Sequence, residues 1–189
     1  MKNTLSKMEQ TLPASWKKNG IPQLVFVLFL ALSIFAVGGG KLRAYHNRTA
    51  NAFTNGQYSI TADMQQRISA GANVITVAKK IPGVDESLIQ AAQQAVDAAE
   101  DLSSPAQAYR NNQQMETSIE ALYDSALQLA NADQKDALSE QHSEFMSRGT
   151  ILRNSSYNEL AKTFNEQCSA FPANLMGALW GVQQVEYFA

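Results

Sequence analysis

No proline lies between Pro22 and Pro82, or between Pro105 and Pro172. A proline inside a helix removes a hydrogen bond and clashes with the preceding turn, at a cost of about 3 kcal/mol. Two proline-free spans of roughly 60 residues each therefore suit long helices. An all-β sandwich of this size would show turn signals every ~8–12 residues, and the chain does not. Its 189 residues suffice for one domain and an anchor. Hydrophobic content of 45% with mean hydropathy −0.24 excludes both a disordered chain and a polytopic membrane protein.

The first proline-free span opens on an uncharged apolar run, Ile21 to Val37 (IPQLVFVLFLALSIFAV). As a helix it rises about 26 Å, and Gly38–Gly40 extend it towards the ~30 Å of a hydrocarbon core. Trp16 precedes it, where an indole favours the interface. Ala36-Val37-Gly38 has the small-x-small form of a signal cleavage site. The apolar core is nevertheless longer than the usual ~7–15 residues, so the expectation is an uncleaved single-pass anchor. Trp16, Lys17 and Lys18 on one side, and Lys41 and Arg43 on the other, are the expected interface residues. Counting Lys7 and Arg48 as well, the flanks balance, and the positive-inside rule returns no orientation. Gly38-Gly39-Gly40-Lys41 fails the phosphate-loop template, because Phe35 and Leu42 stand where Gly and Ser or Thr are required. It reads instead as a flexible joint. The organisation expected is a polar segment (1–20), an anchor with its joint (21–40), a helical bundle (41–170) and an apolar tail (171–189).

Apolar residues recur at helical spacing through the bundle. Phe53, Ile60, Met64, Ile68, Ile75 and Ala78 mark a first helix, with a local irregularity at Asn55-Gly56. Leu88, Ala91, Ala95, Ala98 and Leu102 mark a short second helix beginning at Asp85. Met115, Ile119, Leu122, Ala126 and Leu129 mark a third, which Ser104 and Pro105 start. Leu138, Phe145, Leu152, Leu160, Phe164 and Cys168 mark a fourth, capped by Asp133 and stopped at Phe171-Pro172. The fold class predicted is all-α: an elongated antiparallel bundle of about four helices behind one transmembrane helix. Beyond it, Phe171, Pro172, Asn174 and Leu175 are expected to form a helix terminus, with Asn174 capping a new short helix. Leu179, Trp180, Tyr187 and Phe188 are expected to offer an apolar contact surface to a neighbouring subunit or the membrane interface.

Several of these stretches resemble the LemA family of bacterial membrane-anchored proteins. Tyr157-Asn158 and Phe164-Asn165 stand where family members carry a YN-spaced run. Phe171-Pro172-Ala173-Asn174-Leu175 matches FP-x-NL, Leu179-Trp180-Gly181-Val182 is a variant of LFGF, and Glu186-Tyr187-Phe188 matches EYF. Asn51-Ala52-Phe53 is similar to the family's NAW. Asn73-Val74-Ile75 and Val77-Ala78-Lys79 are similar to PNLV-x-TVK, with Ala72 in place of the proline. Gln183-Gln184 replaces Lys-Pro, which marks a divergent member. The resemblance implies a helical bundle at the bacterial cytoplasmic membrane and no established enzymatic activity.

No catalytic template is met: the chain lacks HExxH, GxSxG, GxGxxG and any paired CxxC. Cys168 is the only cysteine and reads as a small buried apolar residue. His142, between Glu140 and Glu144, reads as part of a solvated face, since residues two apart on a helix do not converge. His46 reads as a headgroup-region residue. Glu116, Glu120 and Asp124 form one acidic stripe. Residues 41–189 hold 11 basic and 16 acidic residues, net −5, which argues against nucleic acid. The expectation is a non-enzymatic protein without cofactor or metal. Its expected partners are the lipid bilayer, further copies of itself and a protein not identifiable from sequence. It would act as a scaffold that self-associates through its helical domain and C-terminal tail or, alternatively, as an accessory or sensory subunit of an envelope protease or signalling partner. A cleaved, soluble binding protein is the third possibility.

Overall fold

The computed structural model describes residues 21–56 and 58–189; Trp16, Lys17 and Lys18 lie outside the described residues. Among those described there are seven helices and no strand: α1 (Ile21–Thr54), α2 (Ile60–Ala78), α3 (Glu86–Ala98), α4 (Pro105–Leu129), α5 (Ala132–Arg153), α6 (Tyr157–Ser169) and α7 (Ala173–Trp180). The all-α bundle behind an apolar N-terminal helix is as expected. The expected anchor, four bundle helices and short tail helix become seven segments because two of the long helices break, beside each other, and the anchor runs on into the first of them.

The first break follows Thr54. Gly56 takes φ +115, which an L side chain rarely adopts, and Ser59 caps α2 by accepting the Ala62 N–H. The local irregularity expected at Asn55-Gly56 is thus a full interruption. The second break is Asn154-Ser155-Ser156, between α5 and α6. Both interruptions line one open cleft, together with Tyr58, Asp63 and Tyr157. They divide the molecule into two layers. One is the bundle of α2, α3, α4 and α5. The other is formed by the end of α1 with α6 and α7.

Caps explain the remaining boundaries. Asp85 accepts the Ser87 N–H at the start of α3. Ser104 accepts the Gln107 N–H, with Pro105 in the first turn of α4. Asn131, not Asp133, starts α5, through a reciprocal capping box with Gln134.

The bundle core contains Met64, Val74, Met115, Ile119, Leu122, Leu138 and Phe145, all fully buried. Replacing Ile119 or Leu122 by Ala should cost about 2–5 kcal/mol, by lost transfer energy and the cavity left behind. Urea melts of both variants that overlay the wild type would contradict that packing. The third and fourth stripes point inward as expected, except that Leu129 is exposed and Leu160 is only part-buried. The stripe of α3 is displaced by one residue. Ala92, Ala95, Val96 and Ala99 are buried, whereas Ala91 and Ala98 are exposed. Paired alanines at 91–92 and 98–99 are interchangeable by pattern; the larger Val96 sets the phase.

Gly38–Gly40 is not a joint. α1 runs through it unbroken. A Cβ on Gly38 would lie 2.6 Å from Met176 Sδ, and one on Gly39 would overlap the Trp180 indole. The glycines let α7 approach the backbone of α1. Before them, the large side chains from Leu24 to Ile34, and Val37, are exposed. After them one face turns inward, with Leu42, Thr49 and Phe53 buried. Leu42 joins Phe164, Cys168, Met176 and Val182 in a small second core.

Candidate functional site

The C-terminal tail is held to α6 by side-chain hydrogen bonds along its backbone. Asn158 and Asn165 lie seven residues apart on α6, two turns or about 10.5 Å. Val185 and Phe188 lie three residues apart, about 10 Å in a drawn-out chain. The two spacings match, and the side-chain amides bind the tail backbone in pairs. Asn158 donates to the Phe188 carbonyl at 2.8 Å and accepts the Phe188 N–H at 2.9 Å. Asn165 donates to the Val185 carbonyl and accepts the Val185 N–H, both at 2.9 Å. Tyr157 Oη donates to the Glu186 carbonyl at 2.7 Å, and Gln184 donates to Ser169 Oγ at 2.8 Å. Each amide mimics the edge of a β-ladder and satisfies the backbone of a segment that has no strand partner.

The tail residues expected to share one surface are divided. Phe188 is 5% exposed and packs edge-on against Tyr109 of α4, at 5.4 Å between ring centroids. It belongs to the bundle core and is not available to a partner. Val182 is likewise buried, whereas Tyr187 is exposed. Phe171, Pro172, Leu175, Leu179 and Trp180 are exposed on and around α7. Asn174 does not cap that helix: α7 begins at Ala173, and the Asn174 side chain only accepts the neighbouring Leu175 N–H. Lys41 and Arg43 are exposed on α1 just beyond its glycines.

Burial pushes the Tyr157 hydroxyl pKa from 10.0 up to about 12, with the Glu186 charge adding to the shift. The folded state therefore holds this proton more tightly than the unfolded chain. Its stabilising contribution is complete below pH 10 and is lost as pH rises through about 12. Two units correspond to roughly 3 kcal/mol. Thermal melts of the wild type should fall more steeply across that window than those of Tyr157→Phe. Parallel slopes would contradict the role of the hydroxyl.

A second polar cluster lies inside the bundle. Arg67 on α2 is fully buried. It donates to Asn112 Oδ1 at 2.5 Å and Glu116 Oε2 at 2.7 Å, and its guanidinium lies 4.3 Å from the Phe145 ring centroid. Arg153 also reaches Glu116, at 3.3 Å. Burial lowers the Arg67 pKa, and the Glu116 hydrogen bond and charge raise it. Gly149 makes the room: a Cβ there would stand 2.7 Å from Arg67 Cζ. The acidic stripe therefore begins with an internal basic partner. Arg67 was legible in principle, since Ile60, Met64, Arg67, Gly71, Val74 and Ala78 step 4, 3, 4, 3, 4 along the buried face.

The other sequence candidates do not converge. His142 is half-buried rather than solvated and stacks on Tyr123 at 3.8 Å between centroids. Burial lowers its pKa, while Glu120 and Asp124 oppose the shift. His46 and Tyr45 meet the edge of Phe164 in the second core. Cys168 is buried in that core. Among the described residues, no three His, Cys, Asp or Glu side chains are grouped to hold a metal ion.

A family model described as the LemA family matches residues 57–189, which takes in α2 to α7, both Asn clamps and the tail. The chain belongs to the LemA family. No curated protein and no solved structure matches it. LemA is not a known enzyme family. The motif residues now have positions: Tyr157, Asn158 and Asn165 grip the segment that ends in Glu186-Tyr187-Phe188. Outside the matched region, Gln23–Thr54 contains a stretch of mean hydropathy 2.2, long and apolar enough to cross a membrane.

Proposed function

We propose that this LemA-family chain is a single-pass, membrane-anchored scaffold that works by binding rather than catalysis. The observation that carries the reading is α1. Its first part exposes apolar side chains all round, as a helix surrounded by lipid does. The same helix then enters the folded layer without a break, so the bundle is held close to the bilayer. The membrane of this reading is the bacterial cytoplasmic membrane. Copies associate through the helical domain, and the bundle offers its polar faces to a protein partner. Alkaline extraction of membranes from cells making the full chain tests the anchor: the protein should stay in the pellet. Release into the supernatant, or a mature mass lacking residues 1–40, ends the reading. Light scattering of the detergent-solubilised chain tests self-association, and a monomer mass removes that part.

One observation favours the accessory or sensory alternative. Both chain interruptions lie at one level between the bundle and the membrane-side layer. A bundle that tilts there would pass a signal on to a partner. Large defined oligomers favour the scaffold; a monomer that co-purifies with an envelope protease favours the alternative.

A further inference from the structure

Among the described residues, nothing covers the outer face of α7. Phe171 is 80% exposed, Leu179 is 73% and Leu175 is 52% exposed. Leu175 and Leu179 stand at i and i+4 on one side of α7, and Phe171 lies in the turn before it. No charged residue lies between Glu166 and Glu186. The inner face is held firmly, because Met176 and Trp180 close on Gly38 and Gly39 of α1. That contact sets the height of α7 on the anchor. Gly38 and Gly39 directly follow the exposed apolar stretch, and the exposed cations Lys41 and Arg43 follow within a turn, about 6 Å along the axis. An apolar face at that height meets the boundary between acyl chains and headgroups, where Trp and flanking cations are favoured.

We propose that α7 is a second membrane contact, an interfacial pad of Phe171, Leu175 and Leu179, edged by the partly exposed indole of Trp180, that enters the same leaflet that α1 leaves. The proposal rests on the anchoring reading and adds to it a lipid-facing role for the tail helix. Continuity with the exposed flank of α1 is what selects lipid over a protein partner. The pad and α1 together fix the helix against rotation and sliding, and so set the orientation of the bundle on the membrane.

The test uses the full-length chain carrying Trp16→Phe, which leaves Trp180 as the sole tryptophan. The chain is reconstituted into phosphatidylcholine–phosphatidylglycerol vesicles containing phosphatidylcholine brominated near the headgroup end of its acyl chains. Trp180 should lose most of its emission there, and less with bromine at the chain ends. Leu179→Glu, on a side chain exposed in the folded chain, should leave the detergent melt unchanged. In vesicles it should red-shift the emission and weaken the quenching, and quenching unchanged from the wild type would overturn the pad. Retention of the variant in the vesicles shows that the anchor is intact. Trp180 that is unquenched in a vesicle-inserted chain overturns the pad alone. A chain that does not insert at all overturns the anchor, and the pad with it. Emission that is insensitive to bromine but depends on the protein-to-lipid ratio places a second copy on the face, which also overturns the pad.

Discussion

Arg67→Ala should destabilise the full-length chain in detergent by about 3–5 kcal/mol, the range for removing one partner of a buried ion pair. The loss has three sources. Glu116 loses its 2.7 Å partner, Asn112 loses its donor, and the Phe145 ring loses the cation over its face. Arg153 remains on Glu116 and limits the damage there. Arg67→Met should cost less, because the thioether fills the space and brings no charge to desolvate. Arg67→Lys should not restore the wild type, since a point-like ammonium cannot reproduce a fork that reaches two acceptors while lying on a ring. Gly149→Ala should also destabilise, because the new methyl falls on the guanidinium. Urea unfolding monitored by circular dichroism reads all four. An Ala variant within about 0.5 kcal/mol of wild type would behave like a surface substitution and would remove Arg67 from the core.

The double variant Asn158→Ala, Asn165→Ala should free the tail and cost several kcal/mol. Alanine is the better helix former by about 0.7 kcal/mol or less per site. Against that gain, each asparagine holds two backbone groups of the tail, each bond worth about 1 kcal/mol and more when its loss leaves a buried group unpaired. Release also withdraws Phe188 from Tyr109 and Tyr157 Oη from Glu186; loss of a buried Phe alone costs about 3–5 kcal/mol. The hydrogen-bond and packing losses therefore exceed the propensity gain. Asn158→Asp should fall between, since a carboxylate still accepts the Phe188 N–H but cannot donate to its carbonyl. Limited chymotrypsin digestion should cut the double variant at Tyr187 and Phe188 much faster than the wild type. Equal digestion rates would mean that the clamps do not hold the tail. By the same reasoning, deleting residues 176–189 should destabilise the bundle, because the deleted stretch includes buried Val182 and Phe188.

The sequence by itself determined the fold class and the inward stripes of the longer helices. The cause is local: proline placement, caps and 3.6-residue periodicity act within a few residues of one another. The stripe Met115, Ile119, Leu122, Ala126 is the clearest case, with all four fully buried. The apolar run of α1 was equally plain, because composition alone makes it. The motif order was legible too, and the family match covers it from residue 57 onward.

Only the tertiary structure decided the rest, because each remaining feature depends on a partner distant in sequence. Gly38 to Gly40 has the composition of a joint. It is helical, and Met176 and Trp180 pack onto Gly38 and Gly39 from more than 130 residues away along the chain. The break after Thr54 reads as a local irregularity, and that after Arg153 falls inside the expected fourth helix; lining one cleft, they divide the molecule into two layers. Arg67 stands on the buried stripe of α2, but Asn112, Glu116 and Gly149, which enclose it, are distant in sequence. The tail divided for the same reason. Phe188 and Leu179 are alike in apolarity, yet two asparagines on α6 draw one into the core, and the glycines of α1 leave the other facing outward. Periodicity specifies which side of a helix is apolar. What covers that side is set by long-range packing, which local pattern does not encode.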